Sequence, residues 1–147
     1  DLNDLFCRKY QNSDGGYANE FDWRSGINER LLRYADVLLL LAEAKAKLGE
    51  DPSAEINQIR QRAYGATAPV YTNGTLTANL DAILEEYLRE YIGEGKRWWA
   101  LRRAGDAYVY KNIKSTYLSA TTTAKMLLPI STTMLNNDPL LTQTPGY

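Results

Sequence analysis

Arg33-Tyr34-Ala35-Asp36-Val37-Leu38-Leu39-Leu40-Leu41-Ala42-Glu43-Ala44 is the stretch on which the fold turns. It lies inside a helical pattern that runs from Ile27 to Leu48, about 33 Å at the standard rise. Leu31, Tyr34, Ala35, Val37, Leu38, Leu39, Leu41 and Ala42 cover most of the helix circumference. A helix that is apolar nearly all round is buried rather than lying on a surface. The run of large apolar residues, Val37 to Leu41, is flanked by Asp36 and Glu43. It falls far short of the roughly 18 apolar residues that argue a membrane span. The pattern therefore predicts a core helix that is covered on more than one side.

Working outward, Gly49 just past the last turn is a C-cap signal. Asp51-Pro52 reads as an N-cap followed by a proline at the first helical position. A second helix follows, with Ile56, Ile59 and Ala63 on one face and Glu55, Gln58 and Arg62 outside it, and Gly65 ends it. So short a linker forces the two helices antiparallel and into contact. The pair, residues 27–64, is similar to a tetratricopeptide-type unit. Such units bury their faces against neighbours, so further helices are expected. Residues 66–79 form a loop rich in Thr, Ala, Pro and Gly, with Tyr71 on it and Asn73-Gly74 as a turn. Thr77 is the expected N-cap of a third helix carrying Leu80, Ile83, Leu84, Tyr87, Leu88, Tyr91 and Ile92 at helical spacing.

Glu86, Glu90 and Glu94 stand at i, i+4 and i+8 on that helix. Like charges so spaced repel by a few tenths of a kcal/mol per pair. Arg89, Arg97, Arg102 and Arg103 are the expected compensating cations. Gly93-Glu94-Gly95 breaks the helix and Lys96–Arg103 resumes it, so the helical segment spans 77–105. At least one of Trp98 and Trp99 is expected in the core. Paired glutamates could serve as the acid and base of a glycoside hydrolase, but a carboxylate row on one helix is more commonly a charged or ion-paired face. Gly93-x-Gly95-Lys96 lacks the spacing of a phosphate-binding loop.

Composition bounds the function. The chain has 147 residues, a net charge of −1 and no histidine. Missing histidine removes the commonest general base and the commonest metal ligand together. The one cysteine, Cys7, allows no internal disulfide. No long basic block is present, which argues against nucleic acid as a partner. Nothing calls for a cofactor, a metal or a catalytic residue. The chain opens on Asp1 without a methionine and reads as a piece of a longer protein. The absence of a targeting segment then says little about location.

Residues 1–26 concentrate Tyr10, Tyr17, Phe21 and Trp23 beside Asn12, Asp14, Asn19 and Asp22. Ser13-Asp14-Gly15-Gly16 is a turn signal, so the segment is an aromatic loop or a short β-hairpin. A ring face packs on the apolar face of a pyranose, and polar neighbours bond its hydroxyls. Tyr17, Trp23 and Tyr71 are the candidate carbohydrate contacts. Residues 106–147 read as an irregular region, with a short strand, and an extended, turn-rich tail.

In sequence order, Arg33-Tyr34-Ala35-Asp36-Val37-Leu38-Leu39, Ala42-Glu43-Ala44 and Ile56-Asn57-Gln58-Ile59-Arg60 resemble the SusD/RagB family of outer-membrane nutrient-binding lipoproteins. Glu86, Glu90, Glu94-Gly95 and Arg97-Trp98 resemble its E-R-x-x-E-L-x-F-E-G-x-R-W segment. Pro129-Ile130 and the closing Leu141-Thr142-Gln143, Pro145-Gly146-Tyr147 resemble its carboxy-terminal end. Arg8-Lys9-Tyr10 fits more weakly. Tyr87 stands for a usual Arg, Lys96 for a usual His, Ala100 for Asp, Ser131 for Pro and Asp138 for Asn. These departures are expected to soften the polar network around Arg97 and Glu90.

The resemblance implies a mainly α fold. This would be a tetratricopeptide-like helical-repeat scaffold with irregular loops and an extended tail, the whole chain being one carboxy-terminal domain, residues 1–147. It implies a non-enzymatic, lipid-anchored protein of the bacterial outer-membrane surface that binds oligosaccharide or polysaccharide. It further implies delivery to a SusC-type TonB-dependent transporter, and an amino-terminal part of the same protein as a further partner. The family's glycan contacts do not lie in the matched motifs. The other reading is a protein-interaction module that docks the transporter, or another helical domain, without binding sugar.

Overall fold

The structure, a computed structural model, describes Lys9, residues 30–113 and residues 126–145. These residues fold as helices, with no strand among them. Two compact units divide the chain, residues 1–97 and 98–147. The aromatic segment expected as a loop or hairpin falls outside the described residues, Lys9 apart.

In the first unit, α1 (Tyr34–Leu48), α2 (Ser53–Tyr64) and α3 (Leu76–Glu90) pack together, with α1 against both of the others. The helix α1 begins at Tyr34, later than the apolar pattern suggested. Arg33 is extended, at φ −130° and ψ 161°. Asp36 explains the start: its Oδ2 accepts the Arg33 backbone N–H at 2.7 Å, and its own N–H reaches the Arg33 carbonyl at 2.9 Å. A carboxylate at the third helical position thus satisfies a backbone donor that the helix cannot.

Gly49 ends α1 as expected. At φ +78° it lies in the left-handed region. Its N–H bonds Ala46, while the Glu50 N–H reaches back to Lys45 at 2.8 Å, the paired bonds of a Schellman cap. The next helix starts at Ser53, one residue later than read from Pro52. Pro52 rather than Asp51 is the N-cap; Asp51 Oδ1 still accepts the Ser53 N–H at 2.8 Å.

The core of this unit consists of Leu38, Leu39, Ala42 and Ala46 of α1, Ile56 and Ile59 of α2, and Leu80, Ile83, Leu84 and Tyr87 of α3. Ala63, placed on the inner face of α2 by the sequence pattern, is exposed. Glu55, placed outside, is buried and bonds Lys45 at 2.6 Å. An ion pair to the neighbouring helix lets the carboxylate turn inward. The N-cap of α3 is Thr75 rather than Thr77; its hydroxyl accepts the Ala78 N–H at 3.2 Å. Leu88 and Ile92, part of the apolar spacing read for the third helix, are exposed. Glu86 and Glu90 are buried in their place.

The helix breaks where Gly93 and Gly95 stand at φ +79° and +70°, and α4 (Lys96–Ala104) follows. The unit boundary falls inside it. Beyond that boundary, Ala100 and Leu101 of α4 are buried, Trp98 is half-buried and Trp99 is 65% exposed. The smaller side chains take the core positions that a tryptophan was expected to fill. Residues read as irregular include α5 (Asp106–Asn112), with Val109 fully buried. An Arg102–Asp106 pair at 2.5 Å spans the junction from α4.

The tail contains a short α6 (Thr132–Asn137), capped by Ser131, whose hydroxyl accepts the Met134 N–H at 3.3 Å. Gln143 then brackets Ile130, accepting its N–H at 2.9 Å and donating to its carbonyl at 3.0 Å. A side-chain amide thereby satisfies both backbone groups of Ile130.

Candidate functional site

The dominant polar feature of the first unit is where the acidic row, Glu86 and Glu90 of α3 and Glu94 just past its end rather than on the helix, meets α2 and the residue before α1. Glu86 is buried and accepts from Arg60 of α2 at 2.7 Å and from Arg89 at 3.3 Å. Glu90 receives Arg62, also from α2, and Arg33 Nη1 at 2.5 Å. Glu94 receives Arg33 through Nε at 3.0 Å and Nη2 at 2.9 Å, and Lys9 at 2.6 Å. Arg33 Nη2 and Lys9 Nζ also donate to the carbonyl of Glu90. That carbonyl belongs to the open last turn of α3, which needs donors from outside the helix.

These cations include Arg89, one of the four expected, and others besides. Of the four named, Arg89 meets the row, while Arg97 donates to the Leu84 carbonyl at 3.4 Å and Arg102 to Asp106. Arg33, Arg60, Arg62 and Lys9 arrive from elsewhere in the chain. The row still signalled them, because carboxylates one turn apart with few local partners need cations from another element.

Tyr91 anchors the joint. Its ring stacks on Tyr87 with centroids 5.4 Å apart. The Arg33 guanidinium lies 4.6 Å from its centroid and Lys96 Nζ 5.3 Å, a cation–π arrangement. Lys96 also bonds Asp36 and the Leu31 carbonyl, both at 2.7 Å. Lys96, at the end of the first unit, thereby ties the break after α3 to the start of α1.

The protonation states follow from these contacts. Burial works against the Arg33 charge, but hydrogen bonds to Glu90 and Glu94 more than offset it and raise its pKa. Burial likewise opposes ionisation of Glu94 and is outweighed by Lys9 and Arg33, so its pKa falls. Asp36 is lowered in the same way by Lys96 and the Arg33 N–H. Burial and nearby Asp36 push the Tyr91 hydroxyl well above its ordinary range. Each carboxylate of the row is bonded to a cation. The cluster holds helices together rather than offering an open acid and base.

A second arrangement shapes the loop between α2 and α3. Asn57 of α2 donates to the Tyr71 carbonyl at 2.8 Å and accepts the Tyr71 N–H at 2.7 Å. The Tyr71 hydroxyl donates to Asn79 Oδ1 at 2.7 Å, which also accepts from the Gly74 N–H at 3.0 Å. Arg60 lies 5.5 Å from the Tyr71 ring centroid. Burial raises the Tyr71 pKa, partly countered by Arg60, so the hydroxyl stays a donor. Tyr71 is therefore half-buried and held at both backbone and hydroxyl. The other candidate contacts, Tyr17 and Trp23, lie outside the described residues.

A hollow of about 280 Å³ lies between α1 and α2, bordered by Arg33, Tyr34, Leu38, Gln58, Ile59 and Arg62. Among the described residues no helix is long and apolar enough to cross a membrane, and no group of His, Cys, Asp and Glu could hold a metal ion.

The joint explains why the motifs occur together: Arg33 and Asp36 come from the first, Arg60 from the second, and Glu86, Glu90 and Glu94 from the third. Residues 4–147 match the model of the SusD family. The chain belongs to the SusD family. Among relatives of this SusD-family chain, the starch-binding protein SusD of Bacteroides thetaiotaomicron is 30% identical over 122 residues, 80% of this chain and 21% of that protein. A SusD-like protein of Formosa agariphila is 38% identical over 86 residues, 52% of this chain and 17% of that protein. B. fragilis NanU has a similar structure at TM-score 0.71 and 43% identity, over 97% of this chain and 31% of that one. A SusD superfamily protein from Bacteroides vulgatus matches at TM-score 0.64 and 40% identity, over 80% and 28%. The SusD-family chain thus spans well under half the length of each.

Proposed function

We propose that this chain is part of a glycan-binding protein of the bacterial outer-membrane surface. In this reading the parent is lipid-anchored, captures oligosaccharide or polysaccharide and delivers it to a SusC-type TonB-dependent transporter, making and breaking no bond. The observation that carries the reading is the SusD-family match across residues 4–147, with a starch-binding protein among the relatives. The charge cluster supports a binding role over a catalytic one, because its carboxylates are engaged by Arg33, Arg60 and Arg62.

Sugar contact rests on Tyr17 and Trp23, with Tyr71 a third ring. Stacking of an aromatic face on a pyranose contributes through buried apolar area, while neighbouring Asn and Asp side chains bond the hydroxyls. The test is Trp23→Ala in the full-length protein, read by calorimetry against soluble oligosaccharides and by retention in polysaccharide affinity gels. Affinity is expected to fall about tenfold or more, equivalent to ~1.4 kcal/mol, with the unfolding midpoint unchanged. Unchanged affinity removes Trp23 from the site. If the unaltered full-length protein binds no polysaccharide yet co-purifies with a transporter, the function is docking alone.

A further inference from the structure

Asn73-Gly74 is the only Asn-Gly pair in the sequence. It lies in the loop that leads into α3, and both residues are exposed. Asn79, in the first turn of α3 and 3% exposed, grips both of them. Its Oδ1 accepts the Gly74 N–H at 3.0 Å. Its Nδ2 donates to Asn73 Oδ1 at 2.9 Å and to the Gly74 carbonyl at 3.3 Å. The Tyr71 hydroxyl donates to the same Oδ1 at 2.7 Å. Both lone pairs and both N–H groups of one buried amide are thus engaged by this short loop.

That grip bears on a reaction the dipeptide carries within itself. The Gly74 nitrogen can attack Cγ of Asn73 and close a succinimide ring. The new N–Cγ bond replaces the Cγ–Nδ2 bond, and the side-chain nitrogen leaves as ammonia with the proton that Gly74 gave up. Water then opens either carbonyl of the ring, leaving aspartate or the β-linked isoaspartate. Glycine permits this step best, because no Cβ crowds the attacking nitrogen. The nitrogen must lose its proton before it attacks, and a hydrogen bond to a neutral amide oxygen favours the protonated form. The Nδ2 bond does polarise the Asn73 carbonyl, but that carbonyl meets no nucleophile while the Gly74 N–H stays engaged.

We propose that Asn73 is a latent deamidation site and that Asn79 is the positioning residue that keeps it closed in the folded chain. The reaction then runs only when the loop opens locally, and it is one-way. Isoaspartate adds a carbon to the main chain between Tyr71 and Thr75, so the bonds from Tyr71 and Gly74 cannot both re-form on Asn79 in the old register. This holds whether or not the protein binds sugar.

The test follows Asn73 in the full-length protein at mildly alkaline pH, folded and in urea. Samples are digested at acidic pH, and isoaspartate and aspartate peptides are separated by chromatography and identified by mass spectrometry. Both products are expected in urea. The folded protein is expected to convert at least about tenfold more slowly, since the bonds from Asn79 must break first. Asn79→Ala is expected to bring the folded rate close to the urea rate while leaving the urea rate unchanged. Asn79→Gln, which keeps the amide but moves it by a methylene, is expected to act in the same direction and decides the matter where circular dichroism shows the alanine variant unfolded. Asn57→Ala frees the Tyr71 backbone but leaves every Asn79 bond in place, so its acceleration is expected to be the smaller one. Equal folded and urea rates, aspartate without isoaspartate, no conversion in urea, a folded Asn79 variant as slow as the unaltered protein, or Asn57→Ala as fast as the Asn79 variants would each overturn the proposal.

Discussion

Replacing Arg33 by alanine is expected to destabilise the first unit by about 2–4 kcal/mol. The guanidinium makes hydrogen bonds to Glu90 Oε1 at 2.5 Å, to Glu94 at 3.0 and 2.9 Å and to the Glu90 carbonyl at 3.0 Å. Its side chain is 17% exposed, and those of both glutamates 7%. Deleting one partner of a buried ion pair costs about 3–5 kcal/mol, because the other charge is left without its counter-ion. Here Lys9 and Arg62 still reach the carboxylates, and Arg62 is 63% exposed and well solvated. The lower range follows.

Arg33→Lys separates charge from geometry. A lysine keeps the positive charge but cannot fork across two carboxylates, so it is expected to recover only about half of the loss. The assay is urea unfolding followed by far-ultraviolet circular dichroism, with the midpoint compared at constant slope. A double-mutant cycle of Arg33→Ala with Glu94→Gln isolates the pair, and a coupling of about 1–2 kcal/mol is expected. If Arg33→Ala costs less than ~0.5 kcal/mol, or the two changes add within ~0.3 kcal/mol, the cluster is surface decoration and the joint is held by apolar packing alone.

The same cluster sets an acid limb. Glu94 and Asp36 have folded pKa values below their ordinary 4.5 and 3.8, so between folded and unfolded values the unfolded chain binds more protons. Their contribution is complete above the ordinary values and is lost as pH falls through the folded ones. Glu94→Gln is expected to flatten that limb in a pH series of urea midpoints, and an unchanged slope would contradict the assignment. Asn57→Ala removes both bonds to the Tyr71 backbone and is expected to cost about 1–3 kcal/mol. Limited proteolysis should then cut faster within residues 65–75; an unaltered cutting rate would show that Asn57 does not hold the loop. Gly49→Ala is expected to cost ~1 kcal/mol through the positive φ of the cap. With nothing within 4 Å of a built Cβ, Gly49→Asn should recover part of it in the same unfolding assay.

What the sequence made legible was local. Gly49, Gly65 and the Gly93–Gly95 break act through their own backbone, and each ends or interrupts a helix where the pattern placed it. Arg33 misled because one apolar period ran through it; the signal that α1 starts after it was Asp36, a cap rather than a periodic residue. Residues 106–112 lacked a helical apolar period, yet α5 needs only Val109 inward. Of the cations on the acidic row, Arg89 was legible because it lies on the same helix; Arg33 was not, because it and Glu94 are 61 residues apart and their meeting depends on the register of helices in space. The candidate sugar rings split similarly: Tyr71 has a definite place, and Tyr17 and Trp23 lie outside the described residues.

The motifs that identify the family are therefore joints, and this bears on where a ligand can sit. Arg33 and Asp36 start α1, Arg60 leaves α2, and Glu86, Glu90 and Lys96 bracket the break after α3. Their charges are spent on one another, and a group so engaged has little left with which to bind a sugar hydroxyl. On the proposed glycan-binding reading, recognition falls to residues whose hydrogen-bonding capacity is not consumed by the scaffold. By the same logic Tyr71, with its hydroxyl on Asn79 and its backbone on Asn57, can contribute a ring face but not a donor. A contact from Tyr71 should therefore be one of shape: Tyr71→Phe would leave glycan affinity nearly intact, whereas Tyr71→Ala would remove the stacking face and with it the contact.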